Sequence, residues 1–321
     1  MAEDTSPAPR TGQIPGDDIV LPFRTSRSGV IGRLVRLGPA VDTILSHHDV
    51  PDLVLQTLGE AVALTTLLGT ALKFDGKLIL QTKTDGILDF LVINFEAPGR
   101  VRGYVRCDKA RFAASTANGG IDEGTLLGGG HLAITIDQGE DMERYQGIVE
   151  LSGDGLAEAA LTYFRQSEQL PSFIRLAVAR HYQAGEWHWR AGGLMIQNLA
   201  VVGGKNSAPV LDEDEGFLLG EDDDDWERTR ILASTVEDHE LLDPTLAPDR
   251  LLYRLFHEEG VRALPAAPIE AYCRCSHERV AAFLKSFGAD DLADMHEPDG
   301  SISVTCEFCS QTYRFAPGEL G

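Results

Sequence analysis

The chain is short of positive charge and of cysteine, and no long apolar run stands out. Its 321 residues carry 28 Lys and Arg against 50 Asp and Glu, a formal net charge of −22. That balance excludes a nucleic-acid binder that works by neutralising phosphates, and it argues against an anionic membrane surface as partner. No apolar run reads as approaching the roughly 18 residues of a membrane span. Five cysteines are too few for a disulfide scaffold. The chain therefore reads as cytoplasmic, where thiols stay reduced and clustered cysteines point to metal or redox chemistry. Residues 1–17, rich in Pro, Thr and acid with no apolar centre, form no secretory signal and are expected to be a disordered tail. Against these shortages, 43% apolar residues suffice for a sizeable core in one large domain or two modest ones.

The pattern along residues 18–202 predicts an α+β domain with antiparallel strands. A helix is expected from Asp49 to Phe74, with Asp49 as cap, Pro51 in the first turn, and Leu53, Leu58, Val62, Leu67 and Ala71 at helical spacing. Lys73 and Gly76 would close it. Period-two alternation then predicts strands at Lys77–Lys83, Ile87–Phe95 and Arg100–Cys107, separated by Asp85-Gly86 and Pro98-Gly99 turns. Further strands are expected at His131–Asp137, Tyr145–Leu151, Gln183–Arg190 and Leu194–Ala200, with a helix at Leu156–Gln169. Trp187, His188 and Trp189 alternate on one of these strands and are expected to pack, and Cys107 reads as core. The order lacks the regular strand–helix alternation of a doubly wound sheet.

Residues 203–268 read as a linker. Nine acidic residues fall in the fourteen of Asp212–Asp225, a density that resists compaction and reads as a solvated loop. Trp226–Leu242 and Asp249–Glu259 follow as helices with apolar faces, which need a surface to cover them. Pro265 and Pro268 form a joint into the last segment.

Residues 269–321 hold four of the five cysteines, as Cys273-Arg-Cys275, thirty intervening residues, then Cys306-Glu-Phe-Cys309. Two close pairs far apart suit a tetrahedral four-thiolate zinc site, each pair supplying two ligands from a tight turn. Ser276 can cap a helix through Val280, Phe283, Leu284 and Phe287, stopped by Gly288, with a short helix at Asp290–Met295 and strands at Ser301–Cys306 and Thr312–Phe315 beyond it. A module of about fifty residues has a thin core, so a structural metal would carry much of its stability. Four thiolates leave no open position for hydrolytic water. His277 and His296 are alternative ligands but read as exposed helix positions. Three readings of the cysteines remain open: a constitutive zinc-stabilised protein-interaction module whose cysteines never cycle, a metal-bound switch that oxidation converts to disulfides, and a thiol–disulfide oxidoreductase, for which no thioredoxin-like context precedes Cys306.

Other constellations carry less. Ser152-Gly153-Asp154-Gly155 has Glu158 where a third glycine of a nucleotide loop belongs, and Gly128-Gly129-Gly130 lacks a following Lys-Ser/Thr. His47-His48-Asp49 reads as helix entry, and His257-Glu258-Glu259-Gly260 lacks the second His of a zinc protease. No catalytic constellation emerges, and the chain is expected not to be an enzyme.

Several segments together resemble one family. They are Leu72 to Gln81 (LKFDGKLILQ), Gly99 to Tyr104 (GRVRGY), Glu143 to Val149 (ERYQGIV), Tyr163 to Gln169 (YFRQSEQ), Ala191 to Leu194 (AGGL) and Leu252 to Glu259 (LYRLFHEE). The Cys-x-Cys-Ser and Cys-x-x-Cys ends, with Glu278-Arg279-Val280 behind the first, complete the set. This pattern is similar to that of the 33 kDa chaperonins, bacterial redox-regulated holdase chaperones of the heat-shock class. The acidic stretch 212–225 departs from it by its length. The resemblance implies an N-terminal α+β domain, a metastable helical linker lying on it, and a C-terminal zinc redox switch. It implies one Zn2+ per chain on Cys273, Cys275, Cys306 and Cys309 in an inactive reduced state. Oxidation would pair Cys273 with Cys275 and Cys306 with Cys309, release zinc, unfold switch and linker, and yield homodimers that hold unfolding client proteins without ATP.

Overall fold

The computed structural model describes residues 16–71, 76–117, 120–138, 144–151, 153–198 and 223–320. The tail residues 1–15, residues 72–75 where the first helix was expected to end, Ser152, and the linker as far as residue 222, with most of the acidic stretch, lie outside the described residues.

Strands β1 (Ile19–Thr25) and β2 (Val30–Leu37) pair antiparallel and lead into helices α1 (Pro39–Ser46) and α2 (Asp52–Ala71). The antiparallel strands β3 (Lys77–Thr84), β4 (Leu88–Glu96) and β5 (Arg100–Cys107) follow, then short helices α3 (Lys109–Ala117) and α4 (Glu123–Leu127). Strands β6 (Gly130–Asp137) and β7 (Tyr145–Leu151) precede α5 (Gly155–Tyr163), which ends in a π-turn over Phe164–Glu168. A long hairpin, β8 (Ser172–Gln183) and β9 (Glu186–Asn198), closes this part. Helices α6 (Asp223–Ser234), α7 (Asp238–Leu242) and α8 (Pro248–Phe256) come next, then three short strands, β10 (Val261–Ala263), β11 (Ala267–Pro268) and β12 (Glu270–Ala271). The C-terminal part holds α9 (His277–Leu284), α10 (Ala289–Asp294) and the hairpin β13 (Ile302–Thr305) and β14 (Thr312–Phe315).

Two six-stranded sheets result. One runs β10-β1-β2-β9-β8 with β11 also on β1; the other runs β12-β5-β4-β3-β6-β7. Helix α2 lies between them and touches β9, β2 and β8 on one side and β4, β5 and β3 on the other. It is buried almost all round, from Val54 to Gly69, which is why it carries no polar face. This helix is in fact long and apolar enough to cross a membrane by length and composition, contrary to the sequence reading, but 78% of its apolar window is buried in the protein.

The structure bears out the α+β class with antiparallel strands and corrects several element boundaries. Asp49 does not cap the long helix: α1 ends at Ser46, α2 starts at Asp52, and Asp49 pairs with Lys109 at 2.8 Å. The two strands expected at 183–190 and 194–200 are one strand, β9, whose partner β8 was not anticipated. The Ala184-Gly185 turn falls where the first was placed, Ala184 and Gly185 both at positive φ. Trp189 is buried there, but Trp187 is 62% exposed at the hairpin tip, where it packs on Tyr182. Trp226–Leu242 is two helices, broken around Thr235–Glu237. Asp17, assigned to the tail, is buried and ion-paired with buried Arg190.

Helices α6 to α8 cover the outer face of the first sheet. On α8, Leu251, Leu252, Leu255 and Phe256 form one buried stripe, while Tyr253 points to solvent. They pack with Leu21, Phe23, Val30, Leu34, Leu194 and Ile196 of the sheet, and Phe256 stacks on Phe23 at 5.3 Å. Gly192 has no side chain because α7 lies there: a Cβ would meet the Leu241 carbonyl at 2.6 Å. Two buried arginines of the sheet pin α7 and its exit through backbone carbonyls, which no sequence pattern specifies. Arg36 donates to the Glu240 carbonyl (3.0 Å) and to that of Leu246, and Arg190 Nε donates to that of Leu242 (2.7 Å). Arg228 of α6 holds the buried Glu259 carboxylate at 2.7 Å.

Asp18, next to the Asp17–Arg190 pair, accepts from the Gly38 and Ala40 amides at 2.9 and 3.1 Å. Burial pushes its carboxyl up to about 6, more than these amides pull it down. A folded pKa above the unfolded one means the native state binds the proton more tightly. The group therefore costs stability at pH 7, on the order of 3 kcal/mol, and the cost fades as pH falls from 6 towards 4. Asp18→Asn, which keeps an acceptor, is expected to raise the unfolding temperature at pH 7 and to change little at pH 4. Equal shifts at both pH values in thermal melts would contradict this assignment.

Candidate metal centre

The four cysteines predicted from spacing converge. Cys273 and Cys275 follow β12 directly, so their position is set by the pairing of Glu270 and Ala271 with Arg100 and Val101. Cys306 and Cys309 sit in the turn between β13 and β14, closed by the Ser310 amide donating to the Cys306 carbonyl at 2.8 Å. Ser276 caps α9 as expected, accepting from the Arg279 amide.

All four Sγ atoms lie within 4.8 Å of one another. Cys273 Sγ is 3.7 Å from Cys306 Sγ, and Cys275 Sγ is 3.3 Å from Cys309 Sγ, so each knuckle faces the other. A tetrahedral ion with bonds of about 2.3 Å to sulfur needs its sulfurs about 3.8 Å apart, which this constellation fits. All five cysteines of the chain are free thiols. Neither His277 nor His296 joins the group: His277 packs on Phe315 at 4.5 Å, and His296 turns back to the Ala293 carbonyl.

The thiols also constrain one another electrostatically. Burial opposes ionisation of Cys273, but hydrogen bonds from the Cys275 amide and from the neighbouring thiols bring it down to about 7. Burial pushes Cys306 and Cys309 up, and the first thiolate adds to the rise. One negative charge is thus accommodated and the next is resisted, so holding four thiolates here takes a cation. The hydrophobic support is slight: among the described residues Leu284, Ile302 and Phe315 form the buried centre of this module, with partly buried side chains such as Val280 and Val304 packed around them.

The site is docked on the second sheet by contacts that sequence reasoning missed. Arg102 of β5 places its guanidinium 4.1 Å over the Phe308 ring and 3.9 Å from Cys273 Sγ. Tyr104 donates to Glu307 at 3.1 Å and packs against Phe308, and Ser310 donates to the His47 carbonyl at 2.7 Å. Tyr313 donates to Cys275 Sγ at 3.1 Å. The sequence held one faint signal of this surface, the alternation of Arg100, Arg102, Tyr104 and Arg106 along one strand.

Comparison with known proteins agrees with this geometry. Residues 18–316 match the sequence model of the Hsp33 protein family. The chain is 44% identical over 315 residues to the 33 kDa chaperonin of Caulobacter vibrioides (strain NA1000 / CB15N), covering 98% of this chain and 99% of that protein. It is 37% identical over 293 residues to the 33 kDa chaperonin of Nitrosococcus oceani, covering 91% and 89%. The crystal structure of the 33 kDa chaperonin from Thermotoga maritima has the same fold, with a TM-score of 0.73 at 22% identity over 94% of this chain and 96% of that one.

Removing the docking contacts should free the module without touching a thiol. Arg102→Ala, and more strongly Phe308→Ala, is expected to speed amide exchange across residues 273–315 while α2 stays protected. Unchanged exchange in both variants would show that these contacts do not hold the module.

Proposed function

The chain belongs to the Hsp33 family, and from that premise we propose that it is a redox-regulated, ATP-independent holdase of the bacterial cytoplasm. The observation that carries the reading is the physical continuity of three parts. The four thiols sit on a module with three buried apolar residues at its centre, that module hangs from the second sheet by β12, and the chain just before it forms the helices covering the apolar face of the first sheet.

In the reduced state Cys273, Cys275, Cys306 and Cys309 would hold one zinc ion, whose charge supplies the counter-ion that four thiolates need. A structural zinc contributes on the order of 10–16 kcal/mol of folding free energy, as much as a whole domain has to lose. Oxidation takes two electrons per disulfide: two thiolates, one hydrogen peroxide and two protons give one disulfide and two waters. Pairing Cys273 with Cys275 and Cys306 with Cys309 removes all four donors, and a module with so little core unfolds. Its loss takes away β12 and loosens α6 to α8. The Leu21, Phe23, Leu34 and Ile196 face is then open to unfolding client proteins, and oxidised chains pair as homodimers.

Two variants test the two halves of this reading. Replacing Cys306 and Cys309 by Ser is expected to abolish tight one-to-one zinc binding, read by competition with a chelating dye; unchanged affinity would remove the ligand assignment. Leu255→Asp puts a charge into the face under α8 and is expected to suppress aggregation of a denatured client without oxidant. A reduced Leu255→Asp protein as inactive as the reduced parent would show that the linker does not mask the holding surface.

A further inference from the structure

The linker does more than lay helices on a sheet face: it also supplies the edge strands. β10 and β11 together run antiparallel along β1, matching Val261–Ala263 to Phe23–Thr25 and Ala267–Pro268 to Ile19–Val20. The hydrogen bonds identify which backbone groups of β1 point outward. The Asp18 carbonyl accepts from Ile269 (2.7 Å), the Pro22 carbonyl accepts from Leu264 (2.8 Å), and the Ser26 amide donates to Gly260 (3.2 Å). Even-numbered positions therefore face the linker, and odd-numbered ones face β2. Pro22 sits at an outward position, where its missing N–H costs the inner ladder nothing.

We propose that, once the linker detaches, the β1 edge from Ile19 to Thr25 takes up an extended segment of an unfolded polypeptide as a replacement strand. This rests on the holdase reading above and adds where and how a client is held. Three observations favour it. The linker strands show that this edge accepts an antiparallel partner, yet they are only three and two residues long, whereas a client strand can run the seven residues of β1, using the outward Val20 and Arg24 amides and the Val20, Pro22 and Arg24 carbonyls, with no donor at Pro22. The sheet face beside the edge carries Leu21 and Phe23, which lose Phe256 and the other linker side chains on detachment, so alternate apolar side chains of an added strand find cover there. Finally, recognition through main-chain groups is independent of sequence, which suits a surface that must hold many clients. The chain's own segment competes poorly, because its pairing with β1 is broken by a one-residue register shift between Ala263 and Ala267.

The test uses the full-length oxidised protein and a Lys-flanked peptide of alternating Val and Thr, beside the same peptide N-methylated at every internal residue. Binding is read by fluorescence anisotropy, and amide exchange is followed at Val20, Arg24 and Ser26. The plain peptide is expected to bind at least ten-fold tighter than the methylated one and to protect those three amides. Arg24→Pro, which removes one outward donor, is expected to loosen β10 in the reduced protein yet weaken peptide binding by the oxidised one. Equal binding of both peptides with no new protection would overturn strand addition while leaving the holdase reading intact. Protection of the same amides by dimerisation alone, undisplaced by peptide, would assign the edge to a second copy and likewise overturn it. An oxidised protein that fails to suppress aggregation of a denatured client would bring down the holdase reading, and this inference with it.

Discussion

Four thiols within 4.8 Å of one another cannot all carry charge unless a cation sits among them. Much else in this protein is arranged around that constraint. The C-terminal module has a small apolar core, and on the proposed reading its fold and its charge balance both rest on one set of four sulfur atoms. On that reading those sulfurs both hold the metal and are the groups that oxidants attack, so what stabilises the module would also be what is most easily withdrawn.

What depends on the module is set by connectivity. The segment from Asp223 to Ala271 contributes three helices to one face of the first sheet and edge strands to both sheets. It is well packed there: Phe256 is fully buried, and Arg36 and Arg190 reach across to the carbonyls of α7 and its exit. Yet these carbonyl contacts are with backbone, and the short β10, β11 and β12 pair over two or three residues each. The linker is held by many modest interactions spread along a chain whose far end is anchored by the cysteine module. That is a construction in which removing the anchor changes the balance along the whole segment, while the core around α2 has its own contacts to both sheets.

The parts legible in the sequence are those whose signal is local. The alternation in β3, β4 and β5 and the four-cysteine spacing read directly, as did the Ser276 cap, the apolar stripe of α8 and the strand β14. Other elements are not legible. β10 to β12 lie in a proline-containing stretch and are strands only because β1 and β5 offer edges to them. The β8–β9 hairpin was misplaced because β9 is buried on both faces from Trp189 onward and so shows little alternation. The docking of Arg102 and Tyr104 on Phe308 and Glu307 joins residues about two hundred positions apart, and no periodicity encodes that. Buried Arg36 and Arg190 carry no sequence signal; the carbonyls of α7 and its exit explain them, together with Asp17 as the ion-pair partner of Arg190.

The most direct test of the account compares the reduced, zinc-loaded protein with the same protein after peroxide and mild heat. Light scattering of a chemically unfolded client and zinc release to a chelating dye are followed in the same samples. The account predicts that only the oxidised protein suppresses aggregation, and that zinc is lost in step with the gain. Equal behaviour of the two forms with zinc retained would contradict it, and would make the metal centre a structural site alone.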